Sequence, residues 1–345
     1  MNRRTFNTTF LTATAGLSLG MQGNSAVKKA RLLPARLKPG DQVGLITPAS
    51  YIEDEGLEKA VKNLEQLGLK PVLGKNIRAD YGSLAGTDEQ RLTDLHQMFS
   101  DPAIKGIWCA RGGYGCARLL PKIDFKMIRR NPKVFVGYSD VTALHVALQR
   151  YTGLVTYHGP VGSSTLTDYT REQVETMLFA PSENYSIDLA PLQKEKALEE
   201  AAYTTKVIRP GVAEGQLVGG NLTLLASALG TDYVPNLKNK ILFLEDVGEK
   251  PYRIDRMLTS LRQAWPLSDL AGIAMGVFAD CEAKSGTRSL TLLETIEDRL
   301  GDLNMPIIYG LSFGHIDDMC TLPMGINVRL DTGSRSITLL ERWIG

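Results

Sequence analysis

A chain of 345 residues, 43% hydrophobic and 22% charged, has ordinary globular composition and the length of two domains rather than one. Its formal charge of +1 supplies no basic field to gather phosphates, which argues against a nucleic-acid partner and leaves small polar substrates open. The four cysteines (Cys109, Cys116, Cys281, Cys320) lack Cys-x-x-Cys spacing and the four histidines form no HExxH pair, so no metal or other cofactor is expected and the thiols read as small core residues or free thiols.

In chain order, residues 1–38 come first as an export-signal-like segment and linker. Arg3, Arg4, Lys28, Lys29, Arg31, Arg36 and Lys38 face no acidic residue before Asp41. "NRRTF" precedes "FLTATAGLSLGM", which is too short and too interrupted by Thr, Ser and Gly to span a bilayer, so no stable membrane insertion is expected. The pattern is similar to a twin-arginine export signal with a cleavage site near Ala26, which predicts a periplasmic location. The alternative is a cytoplasmic tail with a chance arginine pair.

Residues 39–181 alternate β-rich runs with helix-period segments, as a parallel sheet covered by helices does. The strands are "QVGLITPA", "KPVLG", "KGIWCA", "KVFVGYS" and "LVTYHGP"; the helices include "EDEGLEKAVKNLEQLG" and "TDEQRLTDLHQMFSD", the latter capped by Thr87. Residues 182–210 lose the alternation and read as a connector with at most one strand or helix turn. Residues 211–345 form a second, mixed α/β domain. In it "GVAEGQLVGGNLTLLASALGT" reads as a glycine-rich turn leading into a helix, "KILFLED", "GIAMGVFAD" and "PIIYGLSFGH" as strands, "YRIDRMLTSLRQAW" and "SLTLLETIEDRLGDL" as helices, and "DTGS" as a hairpin turn near the end.

The chemistry concentrates at two glycine corners. "VGYSDV" turns a strand into a helix at Ser139, above the carboxyl edge of the sheet, where open α/β proteins place ligands. It keeps the first half of a GxSxG elbow, with Val141 where the second glycine would stand. Ser139 is then a nucleophile, or simply a helix N-cap. "CARGGYG" offers backbone donors at Gly112 and Gly113 which, with the amide of Asp140, could form an oxyanion hole; alone it is equally a phosphate-cradling loop or a tight turn. A serine nucleophile needs a base. His96 and His145 lie within helices, His158 ends a strand and could line the pocket, and His315 ends a strand at a glycine corner that suits a catalytic loop best. "FLEDVGE" brings Glu245, Asp246 and Glu249 to a strand end, where one carboxylate could orient the imidazole.

Taken together, "RGGYG", "VGYSDVTAL", "TYHGP", "GNLTLL", "FLEDVGEKPYRIDRML" and "GLSFGH", in this order, resemble the LD-carboxypeptidase family of serine peptidases, which includes the microcin-immunity peptidases. The resemblance implies a first domain similar to class I glutamine amidotransferases, a homodimer, and a Ser-Glu-His triad shared between two domains. Carried onto this chain, the triad is Ser139, Glu245 and His315, with Glu249 as the runner-up acid and Asp246 the less suited. Arg111, Tyr114, Tyr252 and Arg253 are candidates for substrate contact, since arginine grips a terminal carboxylate in two-pronged fashion; each is otherwise a plain surface residue. The implied reaction is release of terminal D-alanine from murein tetrapeptides. Cleavage of aminoacyl-nucleotide antibiotics, or non-catalytic binding of wall peptides, are the alternatives.

Overall fold

A computed structural model describes residues 31–182 and 184–345. The twin-arginine-like stretch therefore lies outside the described residues. The first half runs β1 (Gln42–Ile46), α1 (Asp54–Gln66), β2 (Lys70–Leu73), α2 (Asp88–Ser100), β3 (Ile104–Cys109), α3 (Phe125–Arg130), β4 (Val134–Gly137), α4 (Thr142–Thr152), β5 (Thr156–His158) and α5 (Asp168–Leu178). All five expected strands are present. Helix α1 buries Leu57, Ala60, Asn63 and Leu64, the stripe its spacing dictates. Helix α2 opens with a capping box: Thr87 accepts from the Gln90 amide while the Gln90 side chain accepts from the Thr87 amide. Thr87→Ala would cost about 0.5–2 kcal/mol.

The second half runs β6 (Ser186–Ile187), α6 (Pro191–Lys196), β7 (Lys206–Arg209), β8 (Val212–Asn221), α7 (Leu222–Ser227), β9 (Lys240–Val247), α8 (Pro251–Ala264), β10 (Gly272–Ala279), α9 (Leu292–Leu300), β11 (Ile307–Gly314), β12 (Leu322–Met324), β13 (Asn327–Asp331) and β14 (Ser336–Leu339). Three expectations need correction. The stretch from Val212 to Asn221 is a ten-residue strand in mid-sheet rather than a turn, because its glycines admit a close neighbour: a Cβ on Gly219 would lie 1.9 Å from the Phe243 carbonyl oxygen. Residues 182–210 are richer than a connector, since β6 and β7 pair at opposite edges of the second sheet. Strand β12, unseen in the sequence, pairs antiparallel with β5 and so extends the first sheet.

The first sheet has the order β12-β5-β4-β3-β1-β2, parallel from β1 to β5. Strand order reverses between β1 and β3, and ligands of such sheets bind in the crevice outside the carboxyl ends at that point. The second sheet has the order β6-β14-β13-β8-β9-β10-β11-β7, with β8 to β11 parallel at its centre. One apolar core reaches from Val43, Trp108 and Val136 in the first sheet to Phe243, Ile273 and Phe313 in the second. The carboxyl-terminal residues bind back onto the first half: Trp343 Nε1 donates to the Met177 carbonyl at 2.9 Å, and the Trp343 carbonyl accepts from the Tyr157 hydroxyl at 3.0 Å.

Candidate active site

Strand β4 is buried throughout, so its end is fixed. Tyr138 remains extended (φ −153°), and then Ser139 turns over to φ +62° and opens a short 3-10 turn that leads into α4. A non-glycine residue in the left-handed region costs about 1–3 kcal/mol, which the surrounding packing must offset. Ser139 does not serve as a cap. The residues preceding the 3-10 turn and α4 are Tyr138 and Val141, and neither start has a side-chain cap bond. The N-cap alternative is thereby removed. Below the elbow, His145 bonds the Gly137 carbonyl through Nε2 and Thr156 Oγ1 through Nδ1, both at 2.8 Å. Burial depresses its pKa to about 4, so it is a neutral strut.

The glycine corner meets the elbow. A Cβ on Gly112 would lie 3.1 Å from Ser139 Oγ, so only glycine leaves that oxygen its room. Gly113 follows at φ +113°. The Asp140 side chain reaches back to the same turn, where its Oδ2 accepts from the Cys116 amide at 2.8 Å, and burial raises its pKa.

Glu245 and His315 arrive from the second sheet. Gly314 (φ +119°) lets β11 lie tightly against β10 and reach Glu245 on β9: a Cβ there would lie 2.5 Å from the Val277 carbonyl oxygen and 3.3 Å from Glu245 Cβ. His315 Nδ1 then donates to Glu245 Oε2 at 2.8 Å. Glu245 is wholly buried and His315 is 19% exposed. Burial pushes the imidazole pKa down, but the hydrogen bond and charge of Glu245, with the charge of Asp246 behind it, carry the net value above the ordinary histidine range. With Nδ1 engaged, Nε2 keeps the lone pair that a base requires. The His315 ring lies 4.8 Å from that of Tyr138, centroid to centroid, which sets it against the residue preceding Ser139.

The three carboxylates of the β9 end are sorted by geometry. Asp246 accepts from Asn221 Nδ2, from the Thr223 amide and hydroxyl, and from the Val247 amide; burial and the neighbouring Glu245 charge push it up to about 6. Glu249 pairs with Arg253 at 3.2 Å. Of the three, Glu245 is the one bonded to the histidine. Tyr252 and Arg253, joined at 3.3 Å, lie with Thr223, Glu249, Arg256 and Met257 around a surface groove of about 270 Å³. Arg111 donates to the Tyr51 carbonyl at 3.0 Å, and Tyr114 is exposed beside it.

His158 departs from expectation. It is fully buried against Tyr138 and Phe243, with no hydrogen-bond partner for either nitrogen among the described residues, so it underlies the His315–Tyr138 contact rather than lining a pocket. His96 Nε2 accepts the Asp124 amide at 3.0 Å, a structural bond. The four cysteines are buried and free. Among the described residues no group of three His, Cys, Asp or Glu side chains could hold a metal ion, and no helix is long and apolar enough to cross a membrane. The sequence reading missed Tyr138, whose only signal was an aromatic ring before the serine. It also missed Ser50, which carried no signal at all; its hydroxyl accepts from the Tyr114 amide at 3.0 Å.

Comparison with known proteins places the chain by sequence and by fold. The LD-carboxypeptidase N-terminal domain matches residues 43–159 and the LD-carboxypeptidase C-terminal domain matches residues 214–330. The chain is 39% identical to a probable murein peptide carboxypeptidase of Bacillus subtilis, covering 89% of this chain and 93% of that one. It is 38% identical to a murein tetrapeptide carboxypeptidase of Pseudomonas aeruginosa, covering 79% and 88%. Among solved structures, MccF in complex with glutamyl sulfamoyl guanosine superposes with a TM-score of 0.82 at 25% identity, over 91% of this chain and all of that one.

Proposed function

The chain belongs to the LD-carboxypeptidase family of serine peptidases, and from that membership we propose that it releases the terminal D-alanine of murein tetrapeptides. The observation that carries this reading is the 2.8 Å bond from His315 to a buried Glu245, set against the strained Ser139 elbow by the Tyr138 ring.

In the proposed reaction His315 Nε2 takes the proton of Ser139 Oγ as the oxygen attacks the carbonyl that joins the L-centre of the third residue to D-alanine. Glu245 holds the Nδ1–H tautomer and stabilises the imidazolium. The oxyanion is received by amides of the Gly112–Gly113 turn and of Asp140, a kind of contact worth about 2.7–4 kcal/mol per donor. The imidazolium then protonates the departing amine, leaving an acyl-enzyme that water cleaves by the reverse proton route. Arg111, Tyr114, Tyr252 and Arg253 are the proposed contacts for the substrate's carboxylates and peptide. We further assign export through the twin-arginine-like segment and a homodimeric state to this reading.

The test is turnover of a purified tetrapeptide followed by mass spectrometry. The wild-type chain should yield tripeptide and free D-alanine, and Ser139→Ala should yield neither while keeping its thermal transition. Undiminished turnover by Ser139→Ala would exclude the mechanism. The likeness to MccF motivates a second reading, cleavage of an aminoacyl nucleotide. All three tryptophans (Trp108, Trp265, Trp343) are buried, but Tyr114 and Tyr252 expose rings on which a purine could stack, so aromatic faces do not separate the two readings. Offering both substrates side by side decides between them.

A further inference from the structure

We propose that Arg91, on α2, is a positioning residue that sets the oxyanion turn through a buried guanidinium, an inference that rests on the carboxypeptidase reading above. The Arg91 side chain is shut off from solvent, which a charged group tolerates only where it is paired and hydrogen-bonded. Its Nη1 donates to two carbonyls from two different loops, Pro48 at 2.7 Å and Gly115 at 3.0 Å. Its Nη2 donates to Asp88 at 2.5 Å, and Asp88 in turn holds Arg118 at the surface. The two loops follow β1 and β3, the strands that flank the reversal of sheet order. They are laced together further along: the Ser50 amide donates to the Gly112 carbonyl at 3.4 Å and the Tyr114 amide to Ser50 Oγ at 3.0 Å. One side of the Gly112–Gly113 turn is therefore fixed by Ser50, and its far end by Arg91 at Gly115 and by Asp140 at Cys116. Arg91 itself touches no reacting atom. It fixes where the turn's amides point, and displacing such donors by a fraction of an ångström is felt in the transition state more than in substrate binding.

A lysine at position 91 keeps the charge but loses the forked geometry that serves two carbonyls and a carboxylate at once. Arg91→Lys should lower kcat at least about tenfold, short of the roughly 10²–10³-fold known for outright loss of a single oxyanion donor, with KM changed by less than about twofold. The acid limb of the pH–rate profile should stay in place, because the His315–Glu245 pair is untouched. Asp88→Asn, which removes the carboxylate paired with the buried guanidinium and leaves both carbonyl bonds, should lower the thermal midpoint and reduce kcat several-fold less than Arg91→Lys does. Ser50→Ala tests the same turn from the other loop should Arg91→Lys not fold; its kcat should drop about fivefold or more at unchanged KM. Folded Arg91→Lys or Ser50→Ala with wild-type kcat, or an Asp88→Asn loss as large as that of Arg91→Lys, overturns the inference. Absence of D-alanine release from the wild-type chain measured alongside would overturn the carboxypeptidase reading and this inference with it.

Discussion

At the scale of single residues the account turns on protonation of His315. Its pKa lies above the ordinary value of about 6.5 because Glu245 more than offsets burial. Below that pKa the imidazolium cannot accept the serine proton, so kcat/KM should rise with pH through a value above about 6.5. The stability contributed by the charged pair runs the other way: it is fully present below the unfolded value and fades as pH rises through the folded one. Glu245→Gln removes the opposing charge and leaves the burial, so the acid limb should move to lower pH while the plateau falls, by up to about 10⁴-fold where an orienting carboxylate is exchanged for an amide. A pH–rate profile of the two proteins checks both parts. Gly112→Ala would bring a methyl 3.1 Å from Ser139 Oγ. It should reduce turnover at least about tenfold with a near-normal thermal midpoint, measured by calorimetry beside the assay. The placement of Ser139 and His315 at strand-end corners was legible in the sequence because glycine at a strand end announces a turn. Glu245 was preferred to Glu249 and Asp246 only through the family resemblance, since which of the three faces the histidine depends on β9 and β11 both pairing with β10.

At the scale of elements the site depends on strand ends arriving in register. Gly314 is one such close approach, and Gly314→Ala should strain the end of β11 by about 1–3 kcal/mol and loosen the His315–Glu245 bond. Urea unfolding would read the first effect and a downward shift of the His315 pKa, followed by ring-proton NMR, the second. The parallel strands of the first sheet were readable because each is a short apolar run closed by a turn residue. Strand β8 was not. Its sequence, VAEGQLVGGN, carries the glycines of a loop, and only the neighbouring backbone of β9 explains why they are needed there. Strand β12 has three residues and pairs back across the chain with β5, a long-range partner that no local pattern announces.

At the scale of the whole molecule, the first sheet carries Ser139 and the second carries Glu245 and His315, and the chain end at Trp343 bonds back onto the first half. Trp343→Ala removes that tie and a buried ring, and should cost about 3–5 kcal/mol, read from denaturant midpoints. All four thiols are buried, and burial with neighbouring carboxylates raises that of Cys281 to about 12. Reductant should therefore leave activity unchanged, and iodoacetamide should label the native protein only after unfolding. Two-domain organisation followed from length and composition, but the sharing of strands between the halves did not. It is set by packing across more than a hundred residues of chain.

The claim that Ser139 is the nucleophile of a working triad is tested most directly by a fluorophosphonate probe, with the modified peptide identified by mass spectrometry. The account predicts one adduct, on Ser139, formed in step with loss of D-alanine release and absent from His315→Ala. Full turnover with Ser139 unmodified, or inactivation through an adduct on another residue, would contradict it.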